Sequence, residues 1–460
     1  MLFPRQIVDH MAINLFPQSA LNPDVRKREV FGWAMYDFAN SGYTTVVLTA
    51  VFGAYFVAGV AAAEAWATLA WTSALALSSL IAMCSMPAIG AYADLRAAKK
   101  RLLVLSTLGC VVGTAALAGA GTGDVAWALV AVVFSNVFYT YGESLIAAFL
   151  PELAREERMG SVSGWGWSFG YLGGMLTLGL CLWYVIWAQR QGLPATHFVP
   201  VTMLITAAIF AISALVTFAL LKERAQPQIQ QAEETGLQAS LARLKRTWHE
   251  ARLFRDFSAL LVCLVAYQAG ISVVIALAAV YAEQVLAFQQ TETMMLILLV
   301  NIAAALGAFA WGYVQDRIGH RPALGITLVG WIVMTVLVAL ATDPFLFWVA
   351  AVIAGLCMGS SQSAGRALAG LLAPEQQRAE FFALWMFAVR LSAILGPMTY
   401  GLVTWLSAGN HRLAIGATGL FFVAGLVLLG AVNVPRGIAA AAAANRKARG
   451  QAPAEQAGGG

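Results

Sequence analysis

The chain has 460 residues, 60% of them hydrophobic and only 11% charged, with a formal net charge of +5. Soluble domains carry about a quarter charged residues, so this composition excludes an ordinary water-soluble globular protein and demands lipid against much of the surface. Residues 1–31 hold charges and prolines but no continuous apolar core, so no cleavable signal peptide is expected and the first spanning helix serves as the insertion signal.

Apolar runs of about 20 residues, the length that crosses a bilayer, follow in order. They predict spans at 32–58, 67–92, 102–119, 125–150, 161–188 and 198–221, then 257–282, 293–314, 323–341, 345–371, 381–407 and 412–432. Between the sixth and seventh lies a polar linker, 222–256. Its stretch Leu237–Phe254 sets Leu241, Leu244, Trp248 and Leu253 among basic residues, which suits either an amphipathic helix on the membrane surface or a solvated linker helix. Residues 433–460, Ala/Gly-rich from Gly437 onward, read as a disordered cytoplasmic tail. The expected architecture is therefore an all-α membrane protein with twelve transmembrane helices, a six-helix bundle at 32–221 and a second at 257–432.

Basic residues collect on the cytoplasmic side of membrane proteins. With both termini inside, the cytoplasmic segments hold 24 Lys and Arg and the external loops hold two, Arg190 and Arg412. The positive balance thus belongs to loops beside anionic lipid and gives no reason to invoke nucleic acid. The five cysteines, Cys84, Cys110, Cys181, Cys263 and Cys357, are scattered, so neither a disulfide framework nor a zinc site is expected.

The two bundles repeat one another. Pro151-Glu152 and Pro374-Glu375 are offset by 223, and the same offset carries Gly173 and Met175 onto Gly396 and Met398. An offset of 222 carries Gly90 and Asp94 onto Gly312 and Asp316, and one of 228 carries Asn40, Gly42 and Thr44 onto Gln268, Gly270 and Ser272. Four landmarks in one order describe two pseudo-symmetric halves, as in many transporter folds.

The loop after the eighth span, Gly312-x-x-x-Asp316-Arg317-x-Gly319-x-Arg321, resembles the signature of the major facilitator superfamily. Gly90-x-x-x-Asp94 followed by Lys99-Lys100 is its partner in the first half, with Ala97 where the pattern has glycine and Leu95 where it has a base. The resemblance implies the major facilitator fold, with Asp94, Asp316, Arg317 and Arg321 forming a cytoplasmic latch. Gly32-Trp-Ala-Met-Tyr-Asp37-Phe-Ala-Asn40-Ser41-Gly42-Tyr43, Ser361-Gln362 with Arg366, Glu380-Phe381-Phe382 and Ile394-Leu395-Gly396-Pro397 look like bacterial relatives of the fungal vacuolar amino-acid effluxers. That resemblance implies residence in the bacterial inner membrane and export of amino acids. This chain departs from the family pattern at Gln268-Ala269, Ala147 and Arg390.

Ionisable residues inside a membrane are costly and mark function or pairing. Here they are Asp37, Glu143, Arg366 and Arg390. Asp37, Asn40, Ser41 and Thr44 share one helical stripe, flanked by Trp33, Tyr36 and Tyr43, which either lines a cavity or lets Asp37 latch a neighbouring helix. Gln268 and Gln362 join the candidate substrate-binding set. Glu143 and Arg366 each lie eight residues before the matching prolines, about 12 Å inward at 1.5 Å per residue. They are expected to meet across the cavity as a gate, with Arg390 a further gate residue; pairing within each half, or a substrate carboxylate on Arg366, are the alternatives. Gly166, Gly170 and Gly174 of the fifth span, and Ala304, Ala308 and Gly312 of the eighth, form small faces; the superfamily resemblance implies that these helices meet across the halves, where small faces would permit sliding, and plain tight packing is the alternative.

No phosphate-binding loop, catalytic set, metal cluster or nucleotide fingerprint stands out, so no cofactor and no enzyme activity are expected. The reading is a monomeric secondary or facilitative transporter of a small polar solute, working by alternating access. Protonation of Asp37 or Glu143 would couple it to a proton gradient; a uniporter or exchanger is the alternative mechanism. A membrane assembly or receptor protein that kept the fold but lost transport is the competing class.

Overall fold

The computed structural model describes residues 16–62, 64, 66–225, 254–286, 290–341, 343–408 and 410–448. The linker stretch Leu237–Phe254 lies outside them except for Phe254. Twelve helices among the described residues are long and apolar enough to cross a membrane. In chain order they are α1 (Lys27–Val60), α2 (Ala67–Arg96), α3 (Lys99–Ala116), α4 (Val125–Ala147), α5 (Met159–Arg190) and α6 (Ala195–Leu220). The second half follows as α7 (Arg255–Leu286), α8 (Gln290–Ile318), α9 (His320–Leu340), α10 (Pro344–Leu372), α11 (Arg378–Leu406) and α12 (His411–Leu429).

Helix α1 loosens into π-helical turns over Thr44–Ala50 and Phe56–Val60. Such wide turns recur at functional sites, because they re-aim side chains without breaking the helix. Here the loosening begins where the polar stripe ends.

The halves meet along two seams, α5 against α8 and α2 against α11. Small residues make both possible. A side chain at Gly164 would collide with the carbonyl of Ala308, one at Gly312 would lie 2.8 Å from the Gly160 carbonyl oxygen, and one at Gly90 2.6 Å from that of Ala379. The expected glycine face of α5 is corrected in azimuth: Gly164 and Gly166 lie about 200° apart round the helix, on nearly opposite faces. Gly166, Gly170 and Gly174 lie against Trp33, Asp37, Ser41 and Thr45 of α1, with Gly166 also beside Arg366 of α10, so Gly160 and Gly164 carry the seam with α8 instead. In α8, Ala304 and Ala308 pack on Gly359 of α10, and Ala308 also meets Gly164 across the seam.

The expected tail is in part a helix, α13 (Val434–Ala448). Its alanines favour helix, and its start is fixed to α7 by Arg436, whose Nη2 and Nε donate to the Asp256 carboxylate at 2.7 and 2.8 Å. Near its end, the Asn445 side chain accepts from the Glu375 amide at 2.9 Å, so α13 lies across the base of the second half. Composition pointed to disorder because the run is low in large apolar residues, although Val434, Ile438 and Ala441 form one packed face.

Candidate functional site: a charged cavity between the halves

A cavity of 440 Å³ lies between the halves. Its floor is polar: Asp37, Asn40, Ser41 and Thr44 of α1, Glu143 of α4, Gln362 and Arg366 of α10, and Arg390 of α11. Away from the floor the walls turn apolar and aromatic, with Leu48 of α1, Tyr281 of α7, Leu296 of α8, Met334 of α9 and Phe347 of α10. These residues lie toward the helix ends remote from the termini, so the cavity extends in that direction.

The four intramembrane charges form two ion pairs, and both cross between halves. Arg366 Nη1 donates to Asp37 Oδ2 at 2.6 Å, and Arg390 Nη2 donates to Glu143 Oε2 at 2.9 Å. Each half therefore supplies one sign, acids from the first and bases from the second. The expected contact between Glu143 and Arg366 is corrected: each takes a different partner. The repeat fixed their equal depth, but the flanking helices α1 and α11 bring Asp37 and Arg390 closer. A hydrogen-bonded pair offsets much of the several kcal/mol that an isolated buried charge costs.

Arg366 is held more fully than its ion pair alone suggests. Its Nε and Nη2 donate to the Ser163 hydroxyl and carbonyl of α5 at 3.2 and 2.8 Å, and its guanidinium lies over Trp33 at 4.7 Å and Trp167 at 5.2 Å. Arg390 lies over Tyr139 at 5.5 Å, and the Thr44 hydroxyl donates to the Tyr139 hydroxyl at 3.1 Å. Sequence reasoning missed Ser163, Trp167 and Tyr139. The signal was present in α5: Ser163 and Trp167 stand four apart, like Trp33 and Asp37 in α1, so each pair shares a face.

The remaining expected site residues divide. Asn40 lines the floor with both side-chain polar atoms buried and unpartnered. Tyr43 is not in the cavity; it is fully buried, its hydroxyl bonded to Ser135 at 2.9 Å and its ring stacked on Tyr139. Gln268 stands behind the wall, its amide donating to Gln362 at 3.3 Å. Below the floor, at the end that carries the termini, the halves are shut. Asp316 accepts from the Gly160 and Ser161 amides at the start of α5, at 2.9 and 3.0 Å, where a helix N-terminus favours an anion. Asp94 accepts from the Glu380 amide near the start of α11 at 2.9 Å. Arg317 is exposed, and Arg321 bonds to the Gly430 carbonyl at 2.9 Å within its own half, so neither base bridges the seam.

Against known proteins, the family described as vacuole effluxer Atg22 like matches residues 70–442. The chain belongs to that family. Among curated relatives, this Atg22-like chain is 25% identical over 404 residues to the uncharacterized MFS-type transporter YxiO of Bacillus subtilis, covering 86% of this chain and 93% of that protein. It is 24% identical to autophagy-related protein 22-1 of Aspergillus niger over 323 residues, covering 65% of this chain and 51% of that one. Among solved structures, the human organic anion transporter MFSD10 superposes with a TM-score of 0.67 at 15% identity, covering 88% of this chain and 98% of that one. The proton:xylose symporter XylE superposes with a TM-score of 0.68 at 12% identity, covering 87% and 93%. The Atg22-like chain is thus a multi-pass membrane transporter with the major facilitator fold, and its relatives are transporters rather than enzymes.

Proposed function

We propose that the chain moves a small zwitterionic organic solute of the amino-acid class by alternating access between the two halves. The observation that carries this reading is the charge-balanced floor, two acids from one half facing two arginines from the other. A solute bearing both charges can exchange with either pair and leave the net charge unchanged. The apolar and aromatic upper walls would then receive the solute's side chain, in a volume suited to a small molecule.

The 24-to-2 distribution of basic residues supports a cytoplasmic position for both termini. On that reading the cavity faces outward here, in a bacterial inner membrane. Asp37 and Glu143 are the proton-coupling candidates, since each can release its arginine only by gaining a proton or a substitute cation.

Counterflow in proteoliposomes tests the reading directly. Vesicles preloaded with a mixture of unlabelled amino acids should take up a labelled one faster than vesicles bearing Asp37→Asn protein. Equal uptake in protein-free and protein-loaded vesicles, across the amino acids, would sink it.

A further inference from the structure

Among the described residues, the hydrogen-bond, ion-pair and ring partners of the Arg366 guanidinium all belong to the opposite half of the molecule. The Asp37 carboxylate and Trp33 ring come from α1; the Ser163 hydroxyl, Ser163 carbonyl and Trp167 ring come from α5. Trp33 is fixed within that half, fully buried with its Nε1 donating to the Ile146 carbonyl at 2.9 Å; Ser163 is fully buried at the seam, where its hydroxyl also donates to the Ser363 carbonyl of α10 at 2.9 Å. Gly166 leaves the room, since a β-carbon there would lie 2.6 Å from both Arg366 Nη2 and Asp37 Oδ2 and 2.5 Å from Trp33. The first half thus carries a built socket with an anion, two further acceptors and two indole faces, and Arg366 is its occupant.

We propose that Trp33, Asp37, Ser163 and Trp167 form a binding site for a planar organic cation of the guanidinium class, filled by Arg366 in this conformation and by a solute when the halves part on this side. The second occupancy rests on the alternating-access reading; the site itself does not. When α10 withdraws, the socket holds a carboxylate between indole walls without its counter-charge, an unfavourable state that a proton or a replacement cation relieves. A planar fork matches three acceptors and stacks between indoles, whereas a compact ammonium satisfies only the charge. A guanidinium-bearing solute would then compete with Arg366 for the socket and hold the seam open.

The experiment uses the full chain in detergent and methylguanidinium chloride as probe, with sodium chloride and methylammonium chloride at matched concentration. Arg366→Ala should bind methylguanidinium saturably by calorimetry and prefer it to methylammonium. Adding Asp37→Asn or Gly166→Ala should weaken binding about tenfold or more. A folded Arg366→Ala protein that binds no methylguanidinium overturns the proposal, as does binding indifferent to both second substitutions. Should that variant not fold, the otherwise wild-type chain with Ser363→Cys at the seam decides: methylguanidinium should speed labelling of the cysteine over the matched salts, and unchanged labelling overturns the proposal. Binding that persists in a chain that moves no solute supports the socket and counts against the transport reading alone.

Discussion

Arg390 of α11 and Trp167 of α5 stand 223 positions apart, the offset that relates the two halves, and each faces the charged residue of the opposite half's inner helix. Arg390 pairs with Glu143 of α4, and Trp167 lies against Arg366 of α10. Glu143 and Arg366 are themselves 223 apart. The contact between α4 and α11 is therefore the pseudo-symmetric image of the contact between α10 and α5, with an ion pair on one side and a cation over an indole on the other. The fold keeps the geometry and varies the chemistry, and this asymmetry separates the two pairs in behaviour.

The Glu143–Arg390 pair is expected to tolerate exchange of its charges, and the Asp37–Arg366 pair is not. Side chains of the first are 22% and 13% exposed, against 12% and 3% for the second, so water can help re-form the reversed pair only at the first. Glu143→Arg and Arg390→Glu should each abolish counterflow, and the double variant should restore a measurable part. The double variant Asp37→Arg with Arg366→Asp should stay inactive, because a carboxylate there would face the Ser163 carbonyl and two electron-rich indole faces that hold a guanidinium in the parent. Single breakage of such a buried pair costs about 3–5 kcal/mol. Restoration by the second swap and not the first would reverse this assignment.

Helix α2 ends on Ala97 in the left-handed region, at φ 48° and ψ 51°, where the equivalent residue of the second half is Gly319 at φ 92°. An alanine there costs about 1 kcal/mol that glycine does not. Ala97→Gly should therefore raise the melting temperature of the purified protein by about one degree and leave the latch at Asp94 in place. A melting temperature at or below that of the parent would show that the strain is relieved elsewhere.

Much of this was legible in the sequence because each feature answered to one rule. Span count followed from apolar length, the halves from repeated landmarks, and the Asp94 and Asp316 positions from a glycine-spaced loop motif. Asp37, Asn40, Ser41 and Thr44 were readable as one face because helical periodicity puts them there. Partner choice was not legible. Depth along a helix comes from residue counting, but azimuth between helices depends on packing, which is why Arg366 was matched to Glu143 and the α5 glycines to α8. Tyr43 failed for a similar reason: an aromatic beside a polar stripe can face the cavity or the neighbouring helix, and Ser135 supplied the partner that decided it.

Gly164 is expected to control closure of the seam at the end that carries the termini. A methyl group there would strike the Ala308 carbonyl of α8, and backbone cannot yield as a flexible side chain can. Gly164→Ala should hold the halves apart on that side and weaken the Asp316 bonds to α5. A cysteine introduced at Ser363, fully buried at the seam, should then label faster than in the otherwise unmodified chain. Unchanged labelling would mean that α5 and α8 shift to absorb the methyl group without opening.

Asn40 and Tyr43 lie one turn apart on α1, and their substitution should separate binding from stability. Asn40 has a buried carboxamide with no partner for either polar atom, a desolvation cost of about 1–3 kcal/mol that a cavity residue bears for the sake of a ligand. Asn40→Leu, similar in shape, removes the unsatisfied groups, so the solute-free protein should melt higher while counterflow falls by at least about tenfold, as for loss of a buried hydrogen-bonding group. Tyr43→Phe deletes the bond to Ser135 and should cost about 1 kcal/mol or more of stability with solute affinity unchanged, since the ring stays stacked on Tyr139. Thermal melts with and without solute, alongside counterflow, read both outcomes. An Asn40→Leu protein that transports normally would remove Asn40 from the binding set, and a Tyr43→Phe protein of weakened affinity would return Tyr43 to it.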